Sequence, residues 1–194
     1  MKRFVDPGAI VAAYVGIGMA MVIAVSFLLV IPIEPAYWLL APLSGLLIGY
    51  YADTRADRRS GPWARVLTNG AFAGLVTGLT FAALLLAIKA LFFFADNGYP
   101  DFNRLDDNHQ PIPPYCTNGA GCVYARYTAQ DPTGLAKAGI GDVGAFTSFY
   151  WGQQGSTAGT LVGVTLAGGL GGALAFGATR MTARSRREES GPAT

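Results

Sequence analysis

Charge, histidine and cysteine are scarce in this sequence, and each shortage removes a class of function. Of 194 residues only 13% are charged, one is histidine and two are cysteine. His109 alone cannot supply the paired intramembrane imidazoles of a b-type haem. It also leaves too few soft ligands for zinc. No Asp or Glu lies inside a long apolar run, which argues against an intrinsic proton relay or a carboxylate cation site. A P-loop, a nucleophile elbow, an H-E-x-x-H pair and a dinucleotide-binding fingerprint are all missing. Gly168-Gly-Leu-Gly-Gly172 is glycine-rich, but it follows no strand and sits within an apolar run. The expectation is a protein that is not an enzyme and needs no cofactor or metal.

What the chain has in abundance is apolar sequence in blocks. The runs are Ala9 to Ile33, Ala36 to Ala52, Val66 to Ala95 and Ser156 to Ala178. Crossing about 30 Å of hydrocarbon takes about 20 helical residues, so the first, third and fourth qualify outright. The second carries Pro42 and gives only about 25 Å of helix, so it must recruit the Pro32 to Pro35 flank or thin the bilayer. The first run is longer than the core of a cleaved signal peptide and has no evident cleavage site, so it reads as a retained anchor.

The basic residues argue that all four runs cross. Lys2 and Arg3 precede the first run, Arg55, Arg58, Arg59 and Arg65 separate the second from the third, and Arg180, Arg184, Arg186 and Arg187 follow the fourth. Four crossings place all ten on one side, which the positive-inside rule makes cytoplasmic. The opposite side receives Glu34 and the acidic segment 96–155, with six Asp against Arg104, Arg126 and Lys137. The predicted fold is therefore an all-α membrane protein with four transmembrane helices and cytoplasmic termini. Residues 1–95 hold three helices, 96–155 an extracytoplasmic loop, 156–180 the fourth helix and 181–194 a basic tail. The net charge of +2 reports topology in the cell membrane rather than a nucleic-acid partner.

Each run repeats small residues at every fourth position. The last reads Gly159, Gly163, Ala167, Gly171, Ala175, Thr179; the third Gly70, Gly74, Gly78, Ala82; the second Ala41, Gly45, Gly49; the first Ala12, Gly16, Ala20, Ala24. A glycine inside a helix costs about 1 kcal/mol relative to alanine, so a repeated pattern implies a compensating close approach of backbones. Gly16, Gly45, Gly49, Gly70, Gly74, Gly78, Gly159, Gly163 and Gly171 are the predicted packing positions. The last run carries a second small edge at Gly168, Gly169 and Gly172.

The remaining features sit between and beside the runs. The turn holding Asp53, Arg55, Asp57, Arg58 and Arg59 reads as an exposed basic connection whose ion pairs are each worth under about 1 kcal/mol. Lys89 is the only formal charge deep in a run, and its stem can carry the ammonium toward the outer interface, to a lipid or a ligand. Pro111, Pro113 and Pro114 exclude a helix around them. Next, Asn118-Gly119 flanked by aromatic sequence predicts a hairpin-like loop closed by a Cys116–Cys122 disulfide. That small ring contributes about 2 to 2.5 kcal/mol in loop entropy. Five residues separate the two sulfurs, unlike the C-x-x-C of a redox catalyst. Asp101, Asn103, Asp106 and Asp107 match no EF-hand. Asp131-Pro-Thr-Gly134 predicts a turn capping a short helix through Lys137, and Phe146, Phe149, Tyr150 and Trp151 predict an interfacial aromatic group or a ligand surface.

Together these readings point to a structural or accessory membrane subunit whose partners are lipids and either other transmembrane subunits or further copies of itself. The alternative is a small oligomeric transporter or channel lined by Thr77, Thr80, Thr160, Thr165 and Lys89.

Overall fold

The computed structural model describes residues 5–30, 34–56, 61–95, 108 and 119–189, and among these there is no strand. Helix α1 (Pro7–Ala24) is continued by a π-helical turn, Val25–Val30. It starts where Asp6 leaves the helical region and Pro7 presets the first turn. Helix α2 covers Glu34–Thr54, α3 Trp63–Phe94, α4 Ala120–Gln130, α5 Pro132–Lys137 and α6 Val143–Glu189.

Three segments are long and apolar enough to cross a membrane: Pro7–Val30, Trp63–Phe94 and Val143–Thr182. Helix α2 has the length, at 21 residues. Pro35, Tyr37, Trp38, Pro42, Ser44, Tyr50 and Tyr51 dilute its apolar content, so four spans reduce to three clear ones plus a helix of mixed character.

The chain divides into two compact units. The first comprises residues 1–83 and 159–194, the second 84–158, and residues of α3 and α6 belong to both. The first unit inverts the usual sorting by size. Its buried face on α1 is Ala9, Ala12, Ala13, Gly16, Ala20 and Ala24, while Tyr14, Met21 and Val22 point outward. Leu39, Leu47, Leu79 and Leu174 on the other helices are exposed as well. Lipid tolerates large apolar side chains on the outside, and small ones inside let backbones meet.

The second unit has an aromatic core. Phe93, Val123, Leu135, Ile140, Phe146 and Tyr150 are buried together, with Tyr124, Tyr127, Phe149 and Trp151 packed around them. Here the structure corrects two expectations. Cys122 to Tyr127 is helical, not extended, because Cys122, Val123 and Arg126 fall on one face of α4 and are buried there. Gly119, at φ 93°, makes the entry to α4, and its N–H donates to the Phe93 carbonyl at 3.0 Å. In addition, the predicted loop 96–155 is not a loop in its last part. Asp142 caps α6 by accepting the Ala145 N–H at 2.8 Å, so the helix begins at Val143, well before the predicted boundary of Ser156. Phe146, Phe149 and Tyr150 then fall at helical spacing, and Phe146 and Tyr150 enter the aromatic core.

The short helix foreseen at Asp131 is present as α5, with the Asp131 side chain accepting the Gly134 N–H at 2.8 Å. Gly139, at φ 70°, ends it, and the Ile140 N–H returns to the Leu135 carbonyl at 3.0 Å.

Candidate functional site

Two features of the first unit carry most of its specificity: a glycine junction and a buried carboxyl at the basic end of its helices. The junction centres on Gly169 of α6. A Cβ on Gly49 of α2 would strike the Gly169 carbonyl, one on Gly70 of α3 would lie 2.6 Å from the same oxygen, and one on Gly74 would lie 3.0 Å from the Gly169 Cα. Beside it, Gly168 faces the Pro42 carbonyl and Gly172 the Leu46 carbonyl, both of α2. Further along, Gly45 meets the Thr165 carbonyl, Gly78 approaches the Val162 Cα at 3.0 Å, and Gly16 of α1 meets the Thr77 hydroxyl of α3.

Six of the nine glycines named from sequence therefore stand at close approaches. Gly159, Gly163 and Gly171 do not: a Cβ on any of them would meet nothing within 4 Å. The close-packed edge of α6 is the neighbouring one, Gly168, Gly169 and Gly172. Both edges have small residues, and the rotation of α6 between α2 and α3 chooses between them.

Thr77 and Thr165 are packed into the same contacts. Both are fully buried, and their hydroxyls donate back to Ala73 O at 2.9 Å and Leu161 O at 2.7 Å. Each hydroxyl is thus bonded within its own helix.

The buried carboxyl belongs to Asp53, in the last turn of α2. Sequence reading placed it in an exposed turn; in the structure it is 1% exposed. The reason is register: Asp53 continues the four-residue spacing of Ala41, Gly45 and Gly49, so it rides on the packed face. Its Oδ1 accepts from Asn69 Nδ2 of α3 at 3.2 Å, and Asn69 Oδ1 accepts the Asp6 N–H at the start of α1, also at 3.2 Å. One amide side chain thus ties α1, α2 and α3 together. Asp53 Oδ2 is buried and accepts no hydrogen bond. Arg180 of α6 reaches the same end of the unit, where Nη1 and Nη2 both donate to the Gly61 carbonyl at 3.2 Å. Arg55 is engaged elsewhere, with Nε on the Tyr51 hydroxyl at 2.9 Å and its guanidinium over that ring.

Asp53 lies outside the three candidate spans. Burial pushes its carboxyl up to about 6; the Asn69 hydrogen bond and the Arg180 charge work against that rise, and the Asp6 charge adds to it. Asn69 carried no sequence signal beyond being an amide inside an apolar run.

Thr80 and Thr160 belong to the first unit, where the Thr80 hydroxyl donates to the Val76 carbonyl at 2.9 Å, and Lys89, Cys122 and Trp151 belong to the second. Lys89 is 7% exposed, so its ammonium is enclosed rather than carried out to solvent. Trp151 lies against Phe93 and stacks on Phe94, with centroids 5.3 and 6.1 Å away. Cys122 is buried on α4. Cys116, His109, Asp101, Asn103, Asp106 and Asp107 lie outside the described residues. Among the described residues no group of His, Cys, Asp and Glu is placed to hold a metal ion.

Comparison with known proteins gives no match to a family model, to a curated protein or to a solved structure.

Proposed function

We propose that this protein is a non-catalytic integral membrane subunit that packs against the transmembrane helices of partner subunits or of further copies of itself. In this reading the run Ala36 to Ala52 of α2 crosses as a fourth span, leaving Asp53 beyond its end, both termini are cytoplasmic, and the segment 96–155 is extracytoplasmic and closed by a Cys116–Cys122 disulfide. The cell membrane is its location, with lipid on its large apolar side chains.

One observation carries the reading. The glycine edge at Gly168, Gly169 and Gly172 is consumed within the chain, while Gly159, Gly163 and Gly171 on the same helix face open space. A bare helix face next to a consumed one is what a second helix needs for close approach in lipid, where small residues let dispersion and backbone contacts form.

The test is recovery of the tagged protein from native membranes in mild detergent, followed by mass spectrometry and sizing. A stoichiometric partner or a defined homo-oligomer is expected, weakened by Gly163→Leu. Recovery of a lone monomer overturns the proposal.

A further inference from the structure

The fold sorts the charges at one end of the first unit by sign. The start of α1, the end of α2 and the second turn of α3 meet there through Asn69, and Arg180 brings α6 to the same end by donating to the Gly61 carbonyl. Both acidic residues at this junction are buried, Asp6 at 8% and Asp53 at 1% exposure. The arginines stay nearer the surface: Arg55 is exposed, and Arg65 and Arg180 are half-buried. Arg55 turns to Tyr51, with Nε on the hydroxyl and the guanidinium over the ring, while Asp53 turns inward to Asn69. Burial thus withdraws the negative charges and leaves a cationic face.

That face stands at the end of the apolar helices. All three candidate spans have a terminus here, at Pro7, Trp63 and Thr182. Tyr50 and Trp63 are 37% and 41% exposed, and the Trp63 ring is seated beside Gly177 of α6. Tyrosine and tryptophan settle at the headgroup level of a bilayer. A guanidinium at that depth meets lipid phosphate, whose oxygens match its planar donors.

Resting on the membrane reading above, we propose that this end of the first unit is a docking surface for anionic phospholipid headgroups, with Arg55 and Arg65 as the phosphate contacts and Trp63 fixing their depth. Zwitterionic lipids carry the same phosphate beside a cation of their own, so a positive face prefers lipid of net negative charge. Helix α6 stays helical to Glu189, and its part beyond the span adds Arg184, Arg186 and Arg187 against Glu188 and Glu189. The field of a charged surface persists for about 10 Å at 0.1 M salt, so the first turns beyond the span still feel it.

The experiment uses the full chain with Trp38→Phe and Trp151→Phe, which leaves Trp63 as the only tryptophan. It is reconstituted in vesicles of phosphatidylcholine and phosphatidylglycerol, with the same composition in both leaflets, and brominated acyl chains are placed on one lipid at a time. Quenching of Trp63 then reads the lipid composition beside it. The expected result is phosphatidylglycerol enriched above its bulk share, with the preference reduced about fivefold by Arg55→Gln or by Arg65→Gln, further by both, and towards bulk between about 50 mM and about 500 mM salt. Quenching that follows the bulk share overturns the proposal. So does an enrichment that persists in the double variant. Should the double variant fail to insert, either single variant decides by the same measure. Lipid preference is read whatever the oligomeric state, so a lone monomer in the preceding test and an absent preference here are separate failures.

Discussion

A Cβ on Gly169 would stand 2.9 Å from the Cα of Gly74, and a Cβ on Gly74 would stand 3.0 Å from the Cα of Gly169. A Cβ at Gly169 would be closer to backbone than real side chains come, and one at Gly74 would need the neighbouring helix to shift by a few tenths of an ångström. The two facing glycines therefore set the close approach of α3 and α6. The same residue of α6 is pressed by α2 through Gly49, which makes Gly169 the position where three helices converge.

Leucine at Gly169 should therefore be among the most damaging substitutions in the chain. Inserting a large side chain into a packed contact costs about 1 to 3 kcal/mol and more where backbone must move. Gly163→Leu, with nothing within 4 Å, should leave the melting temperature of the detergent-solubilised monomer close to that of the parent. Thermal unfolding of the two variants side by side checks the contrast. Equal melting temperatures would count against the packing described.

Replacing Asn69 with Ala should strand the Asp6 N–H and the Asp53 carboxyl together. Each buried group left without its partner costs about 1 to 3 kcal/mol, so a loss of about 2 to 4 kcal/mol in chemical denaturation is expected after partial relaxation. The midpoint of Asp53 should also rise, because the Asn69 hydrogen bond favours the ionised form.

Stability should depend on pH through Asp53 with a definite sign. Its carboxyl titrates at about 6 in the folded protein against an ordinary value of 3.8. Between those values the folded state binds the extra proton. The stabilisation is fully present below the ordinary value and is lost as pH rises through about 6, at no more than about 1.4 kcal/mol per pH unit. Denaturation curves across that range should show the fall in the parent and lack this component in Asp53→Asn.

Phe146→Ala should act on the second unit. Phe146 is fully buried and packs against Tyr124, Tyr127 and Tyr150 with ring centroids 5.1 to 6.0 Å away. Removing a buried phenyl ring costs about 3 to 5 kcal/mol. Hydrogen exchange should accelerate in α4 and α5, which hold the rest of that core. Unchanged exchange there would mean that α4 does not depend on the aromatic cluster.

The helical class, the three long apolar spans and the four-residue spacing of small side chains were all legible in the sequence. These are local properties: a run of lipid length and a repeat that matches the helix turn need no knowledge of neighbours. The capped helix at Asp131 was legible for the same reason, since the cap and its Gly134 partner are three residues apart. Other features depended on residues distant along the chain. Cys122 to Tyr127 has no strong helical signal by itself, and it becomes α4 because Val123, Tyr124 and Tyr127 find Phe93 and Phe146. In α6, both small edges repeat at helical spacing, and only its rotation between α2 and α3 selects Gly169 over Gly163. Asp53 looked like a surface charge because its burial requires Asn69, sixteen positions away, and the start of α1. Spacing decided which residues share a face, while tertiary packing decided which face meets another backbone and which charge is closed off from water.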